Sequence, residues 1–410
     1  MQEIILVHVT GSDRPGLTAQ LASVLAGYDV PILDIGQVVI HDFLTLGLLI
    51  RIPESSESAP ILKDLLFKGH ELGVTMHLHP LSPERYEQWV DAQGRRRSIV
   101  TLLARTITAE HLARVAEVLS AHGLNIEAMH RLSGRVPLSP DKPMPRQACV
   151  EFSVRGAPAD GAALRAAFMA ISADCQVDIA YQEDNLYRRN RRLVAFDMDS
   201  TLISTEVIDE LARRHGVGDQ VSAITESAMR GELDFKQSLR KRLSLLEGMP
   251  ESVLADVAEH LPLSDGAERL ICTLKRIGYK IAIISGGFTY FGERLAAMLG
   301  IDYVFANRLE IADGRLTGRV EGDIVDASRK AEILTDLARR EKISLQQVIA
   351  VGDGANDLPM LGLAGLGIAF HAKPKVRAGA GHAISSLGLD SILYLVGMRD
   401  RDIAENGTTD

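Results

Sequence analysis

The stretch VAFDMDST, Val194–Thr201, decides how the rest of the chain is read. An apolar run from Leu193 to Phe196 stops at two aspartates, Asp197 and Asp199, with one residue between them. Short continuous apolar runs mark strands covered on both faces, so two carboxylates stand where a buried strand ends. Like charges that close repel, and a bound cation and an incoming phosphoryl group are the species that would offset the repulsion. The pattern recurs downstream in KIAIIS (280–285), YVFAN (303–307), VIAVGD (348–353) and LGIAF (366–370), with helical patterns between them. Strands alternating with helices predict a doubly wound parallel sheet. Residues from about 205 to 262 are helical by pattern and too long for a simple crossover. They predict an α-helical cap over the carboxyl edge of the sheet, where ligands of such folds sit.

Other residues end strands on that same edge. IISGG supplies Ser285, Gly286 and Gly287, a hydroxyl with unhindered backbone amides; VGDGAND supplies Asp353 and Asp357; Lys330 opens a helix ahead of that strand. With DMDST first, these four motifs in this order resemble the haloacid dehalogenase superfamily of phosphatases. The resemblance implies Asp197 as nucleophile and Asp199 as general acid and base. It implies Mg²⁺ held by Asp197, Asp353 and the backbone carbonyl of Asp199, with Asp357 orienting from behind. Ser285, the Gly286 amide, Asn356 and Lys330 are then the groups that meet the phosphoryl oxygens and substrate. These types suit phosphoryl transfer, which needs an in-line nucleophile, neutralised equatorial oxygens and an acid for the leaving alcohol.

The cap narrows the substrate. DMDSTLISTEVIDELA with MRGELDFKQSLRKRLSLLEG resembles phosphoserine phosphatases. By that resemblance Glu206 binds the substrate ammonium, Arg242 its carboxylate, and Met229 and Phe235 close the pocket over O-phospho-L-serine. A zwitterion wants one anion and one guanidinium an amino acid's width apart.

The first half of the chain repeats itself. A shift of 94 positions lays Leu21, Val24, Leu25 and Ile32 on Val115, Val118, Leu119 and Ile126. Each copy reads as strand, helix, two strands, helix, strand, the α+β ferredoxin-like order. With GSDRPGLTAQL at its first strand-to-helix turn, the first copy resembles an ACT domain, an amino-acid-binding regulatory module. That resemblance implies a ligand near Asp13 and Gly16, for which L-serine as feedback ligand is the expectation, and pairing of such modules in a homodimer. The second copy has ARTITAEHL at that turn and lacks the proline and glycine. The expected division is ACT domains over 1–88 and 96–182, a phosphatase domain over 183–400 reached through the polar linker QEDNLYRRNRR, and a solvated tail over 401–410.

Composition sets the outer bounds. The 410 residues are too many for one ordinary core, and the net charge of -9, with both signs interspersed, argues against a nucleic-acid or anionic-membrane partner. The first residues lack the n-region and h-region of a secretory signal, so a cytoplasmic protein is expected. Cys149, Cys175 and Cys272 lack metal-ligand spacing and are expected to be buried small hydrophobes. The reading is hydrolysis of phosphoserine to serine under amino-acid control, the last step of serine biosynthesis in the family resembled. Two alternatives stand beside it: phosphotransfer to another alcohol such as homoserine, and an amino-acid sensor with a vestigial phosphatase half.

Overall fold

The strand and helix patterns above are realised in a computed structural model that describes residues 3–94, 96–139, 141–142 and 145–404. It forms two compact units, Met1–Arg95 and Arg96–Asp410.

In the first unit, β1 (Ile4–Ser12), α1 (Leu17–Ala26), β2 (Ile32–Ile40), β3 (Phe43–Arg51), α2 (Ser58–Glu71) and β4 (Thr75–Leu81) give an antiparallel sheet of order β2-β3-β1-β4. A further helix, α3 (Pro83–Ala92), runs past the expected boundary at residue 88. Alternation decides the faces: Val7 and Val9 of β1 and Leu44 and Leu46 of β3 turn inward onto Leu21 and Leu25 of α1 and Ile61 and Leu65 of α2.

The second unit opens with the repeat. β5 (Arg97–Ala104), α4 (Ala109–Ala121), β6 (Asn125–Arg131), β7 (Ala148–Arg155), α5 (Gly161–Cys175) and β8 (Asp178–Glu183) form a sheet of order β6-β7-β5-β8. The duplication reaches the irregularities. The register of β2 on β3 slips between Ile32 and Asp34, and that of β6 on β7 slips between Ile126 and Ala128, the same 94-residue offset. A bulge is a built feature that bends its strand, so the two copies share the bend as well as the element order.

The chain then enters β9 (Leu193–Phe196), every residue of which is buried. The cap follows as α6 (Val207–His215), α7 (Gly218–Met229), α8 (Phe235–Ser244) and α9 (Ser252–Glu259). After it come α10 (Ala267–Arg276), β10 (Lys280–Phe288), α11 (Thr289–Leu299), β11 (Tyr303–Ala312), β12 (Arg315–Glu321), α12 (Ala327–Arg340), β13 (Val348–Gly352), α13 (Leu358–Leu363), β14 (Leu366–Phe370), α14 (Pro374–Gly379) and β15 (His382–Ile384). The sheet order is β12-β11-β10-β9-β13-β14-β15, with β9, carrying the aspartates, in the middle. All neighbours are parallel except β11 and β12, an antiparallel hairpin that the sequence pattern did not announce. Its strand β12 reaches the cap, where Pro250 bridges Arg315.

One expectation needs correction. Among the cysteines only Cys149 is buried; Cys175 is half-buried and Cys272 exposed. The polar linker is built around a turn, and two of its arginines, Arg188 and Arg191, are 1% and 6% exposed. Just ahead of the expected tail, Asp400 opens a short helix, Asp400–Ala404, and accepts from Tyr394 Oη at 2.8 Å and Gly134 N at 2.6 Å; Arg401 and Asp402 are exposed, and residues 405–410 lie outside the described residues. No helix among the described residues is long and apolar enough to cross a membrane.

Candidate active site

Because parallel strands all point the same way, β9, β10 and β13 deliver Asp197, Ser285 and Asp353 to one edge. A cavity of about 180 Å³ lies there, lined by Asp197, Asp199, Glu206, Phe235, Arg242 and Ser285 among others. Gly286, Asp353 and Asn356 line it too. Lys330 and Asp357 stand behind this wall, both completely buried. The side chain of Met229 lies outside the described residues. Asp13 and Gly16 belong to the first unit. There Gly16 caps α1 at φ 89°, a left-handed conformation that favours glycine, with no side-chain cap over the helix amides; Asp13 is exposed.

The turn after β9 holds its aspartates in fixed places. Asp197 accepts from its neighbour Met198 N at 2.7 Å, and Asp199 accepts from Val207 N at 3.0 Å, at the first turn of α6. Ser200 sits at φ 56°, an uncommon conformation for a residue with a side chain. Its hydroxyl donates to Glu206 Oε1 at 2.8 Å and so ties the turn after β9 to the start of the cap.

Lys330 Nζ bridges two carboxylates, Asp197 and Asp357, at 2.7 Å each. Burial alone would pull its ammonium down, but the two aspartates outweigh that and hold it above the usual lysine range. Carboxylate oxygens of Asp197, Asp353 and Asp357 all lie within 4.8 Å of one another. Burial first, then the charge of Asp197, pushes Asp353 up to about 7. The same causes in the same order push Asp357 up to about 7, against the pull of Lys330. Two buried carboxylates and the half-buried Asp353 against one ammonium leave net negative charge with hard oxygen donors, a set that fits a divalent cation of the Mg²⁺ kind. Asp199 is raised well above the usual carboxylate range, by burial and then by Glu206. It is therefore the carboxyl of the group best suited to carry a proton.

On the cap side, Arg242 is drawn down by burial, while Glu206, Asp209 and Asp199 pull the other way. Its Nε is buried with no partner among the described residues, and so is the hydroxyl of Ser238, one turn earlier on α8. A buried unsatisfied donor beside a cavity is a group awaiting an acceptor. Glu206, raised by burial and eased by Ser200, supplies the opposite charge. Phe235 packs so close to the edge that a Cβ on Gly286 would stand 2.7 Å from its ring.

Several contributors escaped the sequence reading. Thr201, inside the quoted motif, donates to Asp353 Oδ1 at 2.9 Å and couples the first and last motifs. Asn307, at the end of YVFAN, donates to Gly286 O at 2.7 Å and accepts from Val325 N at 2.8 Å, locking the end of β10 to the approach of α12. Its position at a strand end on the site edge was the available signal. Lys236 of α8 pairs with Asp326, the N-cap of α12, at 2.8 Å, joining cap and sheet across the cleft.

Comparison with known proteins agrees with this geometry. Models of the ACT domain match residues 3–79 and 98–182, and a model of the haloacid dehalogenase-like hydrolase matches 191–365. Phosphoserine phosphatase SerB2 of Mycobacterium tuberculosis is 41% identical over 400 residues, 97% of this chain and 94% of that protein. Phosphoserine phosphatase of Streptomyces coelicolor is 41% identical over 405 residues, 97% of this chain and 93% of that one. Among solved structures, a probable phosphoserine phosphatase from Vibrio cholerae superposes with a TM-score of 0.58 at 36% identity, covering 76% of this chain and 89% of that one. With both repeats, the hydrolase motifs and nearly the full length held in common, the chain belongs to the phosphoserine phosphatase family of haloacid dehalogenase-like hydrolases.

Proposed function

We propose that this chain hydrolyses O-phospho-L-serine to L-serine and phosphate. Asp197 attacks phosphorus in line and the bond to the serine oxygen breaks, leaving an aspartyl phosphate. Asp199 gives its proton to the departing oxygen, which its raised proton affinity supports. It then takes a proton from the water that hydrolyses the aspartyl phosphate, restoring Asp197 and releasing phosphate. Ser285, the Gly286 amide and Lys330 neutralise phosphoryl oxygens, while Lys330 also holds the Asp197 carboxylate in place through their 2.7 Å ion pair. Hydrolases of this family are generally metal-dependent, and Asp197 and Asp353, with Asp357 adjoining, are the residues that would hold Mg²⁺. When bound, the ion supplies charge neutralisation at the transferring phosphoryl group.

The observation that carries the substrate assignment is the half-buried Arg242 beside the cavity, its Nε buried and unpartnered, with Glu206 lining the same cavity. An α-carboxylate completes the first and an α-ammonium the second. Phosphate release from O-phospho-L-serine and from an aryl phosphate, with Mg²⁺ and after chelation, is the test. Strong preference for phosphoserine in Mg²⁺ is expected; equal turnover of both esters refutes the assignment.

Regulation by L-serine at the Asp13–Gly16 turn completes the proposal, since helix-start amides freed by Gly16 suit a carboxylate and exposed Asp13 suits an ammonium. A homodimer through the first repeat is supported by its edge strand β2, on which Ile35, Val38 and Ile40 are 55%, 51% and 75% exposed. A cytoplasmic enzyme is the setting that fits a biosynthetic role.

A further inference from the structure

Away from the catalytic cleft, the linker turn between the second repeat and β9 lines a cavity of about 590 Å³. Five arginines and two carboxylates line it, together with Tyr279 and Gly397. At its heart is Arg188, 1% exposed, whose Nη2 donates to Glu151 of β7 at 2.5 Å. Its Nε and Nη1 are buried and have no partner among the described residues. Arg191 next to it is 6% exposed; its Nη1 donates to Gln346 O at 3.0 Å, and its Nε is likewise unpartnered.

The backbone makes room on this side of Arg188. Gly397 holds φ 84°, and a Cβ there would stand 3.3 Å from Arg188 Nη1, against the nitrogen that lacks an acceptor. Charge does not balance either. Glu151 is committed to Arg188, and Asp402, exposed at the rim, accepts from Arg399 N at 3.0 Å and pairs with Arg401 at 3.6 Å. Burial draws the Arg191 guanidinium down to about 10; Tyr279 pulls the other way, and the Arg188 charge adds the smallest share. Guanidinium stays charged in proteins, so the remedy available to this cavity is an added acceptor.

We propose that this cavity is a second anion site, taking the phosphate or carboxylate group of a small metabolite on Arg188 and Arg191, with Arg399 at its mouth. An oxyanion seated there would contact the linker and the C-terminal segment around Gly397, beside Glu151 of the second repeat. It would therefore bind across the joint between that repeat and the phosphatase sheet. Charge-assisted bonds to guanidinium are the strong class of hydrogen bond, and a buried site multiplies them.

The test is equilibrium dialysis of the full-chain enzyme in Mg²⁺ with labelled orthophosphate, and in a parallel arm with labelled acetate. The variants are Arg188→Gln combined with Glu151→Gln, which removes the buried pair without stranding a charge, and Arg399→Ala, which leaves the buried pair intact. For orthophosphate, wild type is expected to bind one ion in the catalytic cleft and a second elsewhere. The double variant should lose the second, and Arg399→Ala should weaken it on the order of threefold to tenfold, with turnover of phosphoserine unchanged in both. Acetate lost in the same variants identifies a carboxylate ligand, and phosphate alone identifies a phosphate ligand. If neither anion binds beyond the catalytic cleft, or if both variants bind as wild type does, the cavity is filled by water and the proposal fails. Should the double variant not fold, Arg399→Ala decides by the same criterion.

Discussion

Gly287→Ala is the perturbation whose effect can be worked most directly from the geometry. The backbone at Gly287 is not in the left-handed region, so alanine fits the chain; what it does not fit is its surroundings. The new methyl would stand 2.3 Å from Asp199 Oδ2 and 2.6 Å from Met198 Cε, whereas ordinary contact begins at 3.4 Å. Met198 can swing its flexible end away. Asp199 cannot, because Val207 N holds its other oxygen and the turn behind it is set by Ser200. Relief therefore requires Asp199 to retreat by about 1 Å, a displacement that costs on the order of 100-fold when the group must meet a reacting atom. That is about 2.7 kcal/mol of transition-state stabilisation. Because the acid serves any leaving alcohol, kcat should fall on phosphoserine with KM little changed. An aryl phosphate, whose leaving group needs less help from an acid, should lose less. Steady-state kinetics on both esters, with a thermal melt to confirm folding, is the assay. A kcat within about threefold of wild type would show that Asp199 need not stand where the glycine leaves it.

Asp197→Asn should abolish steady-state phosphate release while the protein stays folded, since an amide is no nucleophile; appreciable turnover by pure variant refutes the aspartyl phosphate. Arg242→Ala should remove about 2 to 5 kcal/mol of transition-state binding for phosphoserine and far less for an aryl phosphate, and equal losses would mark a structural arginine. In chelator, Asp353 and Asp357, both pushed up to about 7, bind protons in the folded state that the unfolded chain releases near the usual carboxylate range. Their contribution is present in acid and lost as pH rises through about 7, so metal-free protein should melt higher near pH 5.5 than near pH 8, and Asp353→Asn should shrink the difference. For serine control, a coupling of about 1 to 3 kcal/mol is expected; inhibition that is purely competitive and unaltered by Asp13→Asn would exclude the first repeat as its site.

The edge that carries the candidate site was legible because its residues announce themselves locally. Asp197, Ser285 and Asp353 each follow an apolar run, and such runs become the buried strands β9, β10 and β13. Arg242 was legible only by resemblance, since nothing local separates it from the exposed Lys241 and Arg240 beside it. What stayed hidden depends on distant partners. Asn307 gains its role from Gly286 and Val325, each about twenty residues away along the chain. The β12 hairpin has no continuous apolar run, only an alternating strand laid on an edge. The linker misled most, because polar composition reads as solvated until Glu151 and Gly397 close around Arg188.

The seam between β8 and β15 bears on how the chain can be divided. β15 has three residues and ends the large sheet, yet its flank is occupied: His382 Nε2 lies 3.0 Å from Tyr181 O. Just beyond it, Ser385 N donates to Asp178 Oδ1 at 2.8 Å and Ser386 N to Asp178 Oδ2 at 3.3 Å. A hydrolase excised just after β8 would keep every candidate catalytic residue and still be a damaged object, with a raw sheet margin open to pairing with its neighbours. Arg188, retained by such a cut, would lose Glu151 and remain a cation without a counterion. The natural place to separate the halves is ahead of β5, so the second repeat is less an appendage of the hydrolase than its side wall.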